Sequence, residues 1–211
     1  MNNTENNNIN NTEILSQSVN ENIEPADKDK NNFKSEIFDW IEVLVHAILA
    51  VVLCFSFLFR IATIEGNSMK ETLHNGEKVI ITNLFYTPKV GDIVVVSRNT
   101  ENSVFTMNDS NKPIIKRIIA TEGQTVDIDF ETSTVYVDGV ALKEDYIADL
   151  TKVRGNVNFP VTVGEDEVFV LGDNRNNSRD SRFSDVACVD YDDILGKAVL
   201  RFLPFSDIRV F

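Results

Sequence analysis

The sequence predicts a mainly β protein, an antiparallel β-sheet, barrel-like domain preceded by one transmembrane helix. Three observations carry this. A single apolar stretch of membrane length extends from Ile41 to Phe59, unbroken by charge from Val43 onward. Beyond it come short runs of β-branched and aromatic residues separated by turn residues, the pattern of strands and hairpins. No segment of that region repeats its apolar residues at the 3.6 spacing of an amphipathic helix.

Taken in order, residues 1–35 form a polar, acidic tail rich in asparagine, with Asn2, Asn3, Asn6, Asn7, Asn8, Asn10 and Asn11. It has too little apolar surface to fold alone and is expected to be disordered. Residues 36–60 hold the anchor. Within the 19 residues from Ile41 to Phe59, Glu42 is the only charge, and Trp40 and Arg60 are suited to the interfaces. As a helix the run spans about 28 Å, enough for a bilayer core. A cleaved signal peptide would lack the long polar stretch that precedes it, and a buried core helix would break the run between Val43 and Phe59. The flanking charges (Lys28, Lys30 and Lys34 before, Arg60, Lys70 and Lys78 after) leave its orientation open.

Residues 61–211 form the β-domain. Strands are expected at Lys78 to Leu84, Asp92 to Val96, Ile114 to Ala120, Val126 to Phe130, Val168 to Leu171 and Lys197 to Phe202. The segment Thr134 to Leu142 reads as a hairpin, because Asp138-Gly139 suits a type I′ turn.

Composition excludes several functions. The chain has 20 basic and 33 acidic side chains, net −13. Nucleic acid is therefore not an expected partner, since phosphate binding needs a basic face. Cys54 lies in the apolar run and Cys188 far beyond it, so they are not expected to pair. No Cys/His cluster has metal-ligand spacing and no glycine-rich phosphate loop is present.

What chemistry remains centres on Ser68 and Lys116. A serine is a weak nucleophile until a base takes its proton. The only histidines are His46, inside the apolar run, and His74. Lys116 sits in the middle of Ile114-Ile115-Lys116-Arg117-Ile118-Ile119. Strand alternation puts it on one face with Ile114 and Ile118, and Arg117 on the other. An ordinary lysine titrates near about 10.4, so about one in 2500 is neutral at pH 7. Apolar neighbours disfavour the ammonium and pull that value down. On residues alone a second reading stands beside this one: a strand lysine whose stem packs while its amine reaches water. The run Gly172 to Arg182 has no apolar residue. It reads either as a solvated turn or as a loop braced by its own ion pairs that holds a catalytic amine by a hydroxyl.

These pieces together resemble the bacterial type I signal peptidases, membrane-anchored proteases with a serine–lysine dyad. The resemblance runs from about Val43 to the C-terminus. It rests on the anchor, then Gly66-Asn67-Ser68-Met69-Lys70-Glu71-Thr72-Leu73, then Gly91-Asp92-Ile93-Val94-Val95, then Lys116-Arg117-Ile118-Ile119. The last part is Gly172-Asp173-Asn174-Arg175 with Ser178, Asp180, Ser181 and Arg182.

The resemblance implies that Ser68 is the nucleophile, Lys116 the general base, and Ser178 the hydroxyl that orients the Lys116 amine. Asp180 and Arg182 would brace the loop. Ile64, Met69, Leu73 and Ile115 would line shallow pockets for small side chains one and three residues before the cut. The expected partners are preprotein signal peptides and the lipid bilayer of the plasma membrane, with the N-terminus cytoplasmic and the catalytic domain on the outer face. No metal or organic cofactor is expected.

The chain departs from the family pattern at Glu71 and Glu122, where proline is usual, and at Gln124, where aspartate is common. Gly66 offers no hydroxyl to an oxyanion, which leaves backbone N–H groups, notably that of Ser68, for that task. Two other classes share parts of this layout. An anchored β-domain that only binds would leave the Ser68, Lys116 and Gly172 to Arg182 coincidence unexplained. A self-cleaving regulator would be soluble and carry a DNA-binding part.

Overall fold

The computed structural model describes residues 28–97 and 112–211. The asparagine-rich tail lies outside them as far as residue 27. Two units are present, Met1–Leu53 and Cys54–Phe211.

Helix α1 spans Lys28–Leu58, so it begins within the segment expected to be tail. Nothing in residues 28–35 breaks a helix, for glycine and proline are both absent, and an apolar helix once formed propagates cheaply into a polar flank. Glu36–Ser56 is a 21-residue stretch of mean hydropathy 2.2 with none of it buried in protein. That exposed apolar length is what a bilayer core would cover. The helix stops at Leu58, and Arg60, expected at its membrane flank, instead opens a strand.

Among the described residues twelve strands follow, all paired antiparallel. They are β1 (Arg60–Thr63), β2 (Lys78–Thr82), β3 (Ile93–Val96), β4 (Ile114–Thr121), β5 (Thr125–Asp129) and β6 (Thr134–Val137). After these come β7 (Val140–Ala141), β8 (Val161–Thr162), β9 (Glu167–Leu171), β10 (Val189–Asp190), β11 (Ile194–Leu203) and β12 (Arg209–Val210). The larger sheet runs β1-β2-β11-β3-β4-β9-β10, with β12 also on β11; the smaller runs β7-β6-β5-β8. The mainly β expectation holds. Asp138 and Gly139 both have positive φ (52° and 76°), as a type I′ hairpin turn requires.

Strand β4 departs from simple two-face alternation because both of its faces are covered. Ile115 joins one core cluster with Ile93 and Val95. Ile118 joins a second with Val94 and Val96, against which Ile114 also packs. A register shift against β9 between Ile118 and Ala120 then turns Ile119 and Ala120 into a third cluster with Phe169 and Leu171. Lys116 is paired in register with Val94, so its strand neighbours on that face are apolar.

Candidate active site

Ser68 lies between β1 and β2 in a segment built of tight turns. Lys70 N donates to Asn67 O, and Thr72 N and Leu73 N both donate to Met69 O. Gly66 enters it at φ +86°, a left-handed value costly for any residue with a Cβ. That is a physical reason for glycine where a hydroxyl residue would otherwise have been useful. The Lys70–Glu71 peptide is cis. From below, Arg201 of β11 donates to Thr72 O and to both Glu77 carboxylate oxygens. A buried ion pair therefore supports the turn that carries Ser68.

Lys116 reaches this turn from β4. Its Nζ lies 2.9 Å from Ser68 Oγ and donates to Ile115 O at 2.7 Å. The residue is 2% exposed. His74, by contrast, faces Glu77 at 3.4 Å, so the imidazole has its own carboxylate.

The strand β9 delivers the loop from Gly172 to Arg182 against the turn that carries Ser68. Asn174 N donates to Ser68 O and its side chain to Asn67 O. A Cβ on Gly172 would fall 2.2 Å from Ser178 Oγ and 2.5 Å from Ser68 O, so only glycine lets the loop come this close. Asp180 and Arg182, both 0% exposed, form a two-pronged pair, and Asp180 also accepts from Gly172 N. Arg182 further donates to Val153 O and Arg175 O. These bonds tie the loop to itself and to the segment before β8. Ser178 Oγ is buried beside Gly172 without a hydrogen-bond partner among the described residues, so the expected bond to the Lys116 amine is not formed in this conformation.

Ile64, Met69, Leu73 and Ile115 meet in one core cluster. All four are nearly closed off, Ile115 being the most open at 8%. They form a tight apolar wall beside Ser68 and Lys116, which Met69 and Ile115 adjoin in sequence.

Sequence reasoning missed the supporting polar groups. Arg117 makes a two-pronged pair with Asp173 and donates to Gly91 O. Asp173 in turn accepts the Thr72 hydroxyl. Arg175, fully buried, is held by both oxygens of Glu144 and by Thr151. Arg117, Asp173, Arg175 and Thr72 lay within the quoted motifs, but the partners Glu144 and Thr151 carry no local signal. Among the described residues no group of three or more His, Cys, Asp or Glu side chains is arranged to hold a metal ion.

A β-domain with a serine hydroxyl beside a buried lysine amine has the parts of a hydrolase that works by nucleophilic attack. The signal peptidase family, peptidase S26, matches residues 37–203, and the chain belongs to it. Signal peptidase I of Bacillus amyloliquefaciens is 30% identical over 191 residues, covering 87% of this chain and 97% of that protein. Signal peptidase I T of Bacillus subtilis (strain 168) is 31% identical over 205 residues, covering 92% and 98%. A probable signal peptidase I-1 of Synechocystis is 36% identical over 168 residues, covering 78% and 81%.

Proposed function

We propose that this serine peptidase removes signal peptides from secreted preproteins with Ser68 as nucleophile and Lys116 as general base. The observation that carries the reading is the 2.9 Å approach of a 2%-exposed lysine amine to the Ser68 hydroxyl, in a chain of the signal peptidase family. Burial favours the neutral amine that a base must be.

Neutral Lys116 takes the Ser68 proton as Oγ attacks the scissile carbonyl, giving a tetrahedral intermediate and a lysine ammonium. The Ser68 N–H stabilises the oxyanion. The ammonium then protonates the leaving amine, which releases the mature protein and leaves the signal peptide as an acyl-enzyme. Lys116, neutral again, deprotonates a water that attacks the ester and frees Ser68. Ser178 fixes the amine's direction when its hydroxyl engages Lys116; Asp180 and Arg182 keep the loop rigid. The wall of Ile64, Met69, Leu73 and Ile115 admits small side chains, alanine above all, one and three residues before the cut.

Helix α1 anchors the enzyme in the plasma membrane, with the N-terminus in the cytoplasm and residues 61–211 as the peptidase domain on the outer face. Anchoring raises the effective concentration of enzyme at the membrane-tethered substrate. The test is cleavage of a preprotein peptide by the detergent-solubilised chain. Ser68→Ala and Lys116→Arg should each abolish turnover with the fold intact, because arginine keeps its proton. Near-normal turnover in a folded Lys116→Arg protein would refute the dyad.

A further inference from the structure

Tyr146 stands in the irregular segment between β7 and β8, outside the motifs that define the site. The Arg117 guanidinium lies over its ring, 4.1 Å from the centroid. Its hydroxyl donates to Glu144 Oε1 at 3.2 Å, the carboxylate that also binds Arg175. Burial, then the Glu144 charge, push the phenol up to about 12, so it stays a neutral donor through the working range of an enzyme.

What Arg117 joins makes this contact matter. It follows Lys116 directly in β4, and it grips Asp173 through Nε at 2.8 Å and Nη2 at 2.6 Å. Asp173 accepts the Thr72 hydroxyl from the turn that carries Ser68, and its own carbonyl accepts Ala148 N, two residues past Tyr146. One guanidinium thus couples the strand of the base to the turn of the nucleophile. That coupling borders an open cleft of about 290 Å³, lined in part by Thr72, Gly91, Arg117 and Tyr146. Water entering there would compete for the Arg117 donors. The Tyr146 ring covers one face of the guanidinium, and a cation over an aromatic face is held most firmly when desolvated.

We propose that Tyr146 is a positioning residue: its ring, stacked on Arg117, keeps Lys116 and Ser68 at reacting distance. This rests on the Ser68–Lys116 reading above. A positioning role acts through Arg117, so loss of the ring should slow the chemical step and leave peptide binding alone.

The test uses the full chain in detergent micelles and a fluorogenic signal peptide with alanine one and three residues before the cut. Rates are normalised to folded protein. Tyr146→Leu should lower kcat by about 10- to 30-fold with KM within about twofold. Tyr146→Phe, which keeps the ring, should retain at least about half of wild-type kcat. Should Tyr146→Leu not fold, Tyr146→Met fills similar volume without a π face and takes its place with the same expectation. A kcat unchanged in the Leu or Met variant, a rise in KM alone, or an equal loss in Tyr146→Phe would each overturn the proposal. Ser68→Ala and Lys116→Arg run alongside: if either stays active the dyad reading falls. If both are dead while the Leu variant is as fast as wild type, only the role of Tyr146 falls.

Discussion

A methyl group at position 172 would strike both sides of the proposed site. The Ser178 hydroxyl could rotate away from it, but Ser178 Cβ, 2.6 Å from the ideal Cβ, and the Ser68 carbonyl, at 2.5 Å, must shift with their backbone. Gly172→Ala should therefore cost stability on the ordinary scale of overpacking, about 1–3 kcal/mol. It should cost far more in catalysis, about 100-fold in kcat, as ångström-scale misplacement of reacting groups does. Peptide cleavage and thermal unfolding of the same preparation check this; parallel losses would count against it. Cys188 offers a pH test. Burial, with help from Glu167, pushes its thiol up to about 11, and the thiolate is the nucleophile. In a Cys54→Ser background, alkylation by iodoacetamide should be slow near pH 8 and climb about tenfold per pH unit until about 11. A plateau near pH 9, the behaviour of an ordinary thiol, would contradict the burial seen here. At this scale Ser68 and Lys116 are legible in the sequence because their chemistry is improbable where they stand. Arg117 with Asp173 and Arg201 with Glu77 are not legible. Their partners lie 56 and 124 residues apart, and in a chain with 20 basic and 33 acidic residues no composition rule selects one pair.

Between elements, two irregular segments are laced together next to the site. Residues 144–157 and the loop after β9 share Arg175 with Glu144, Asn176 with Leu150 O and Lys152 N, and Arg182 with Val153 O. A Cβ on Gly155 would lie 2.2 Å from Arg182 O, and φ there is +75°, so the crossing is close enough to demand glycine. Glu144→Gln would leave the Arg175 guanidinium, 0% exposed, without its counter-charge. Breaking one side of a buried pair costs about 3–5 kcal/mol, and thermal unfolding of the detergent-solubilised chain should fall accordingly. A shift of only a degree or two would mean that water replaces the carboxylate. The strands themselves are legible where β-branched residues run for four positions, as in β2 and β3, or cluster with other apolar residues, as in β4 and β9. Strand β1 is not, since three residues of Arg60–Thr63 are exposed and only its pairing with β2 makes it extended. The two-residue strands β8, β10 and β12 likewise exist through their partners (β5, β9 and β11). The third face change in β4 comes from a register shift with β9, which no local pattern announces.

For the whole molecule, the open question in the sequence is direction. Three lysines precede the apolar run and Arg60, Lys70 and Lys78 follow it, so the cationic bias that orients most single-span proteins is nearly balanced. Arg60 pairs with Ile81 in β1, just past the end of α1 at Leu58, so it stays in the C-terminal flank and the balance is unchanged. The proposed function supplies the direction instead: an enzyme that cuts signal peptides as they emerge on the far side of the membrane needs a cytoplasmic N-terminus. Protease added to intact cells or protoplasts should therefore degrade residues 61–211 and spare a tag placed on Met1. Lysed cells should lose both. Protection of the β-domain with loss of the tag in intact cells would reverse the orientation and remove the enzyme from the side where its substrates are presented.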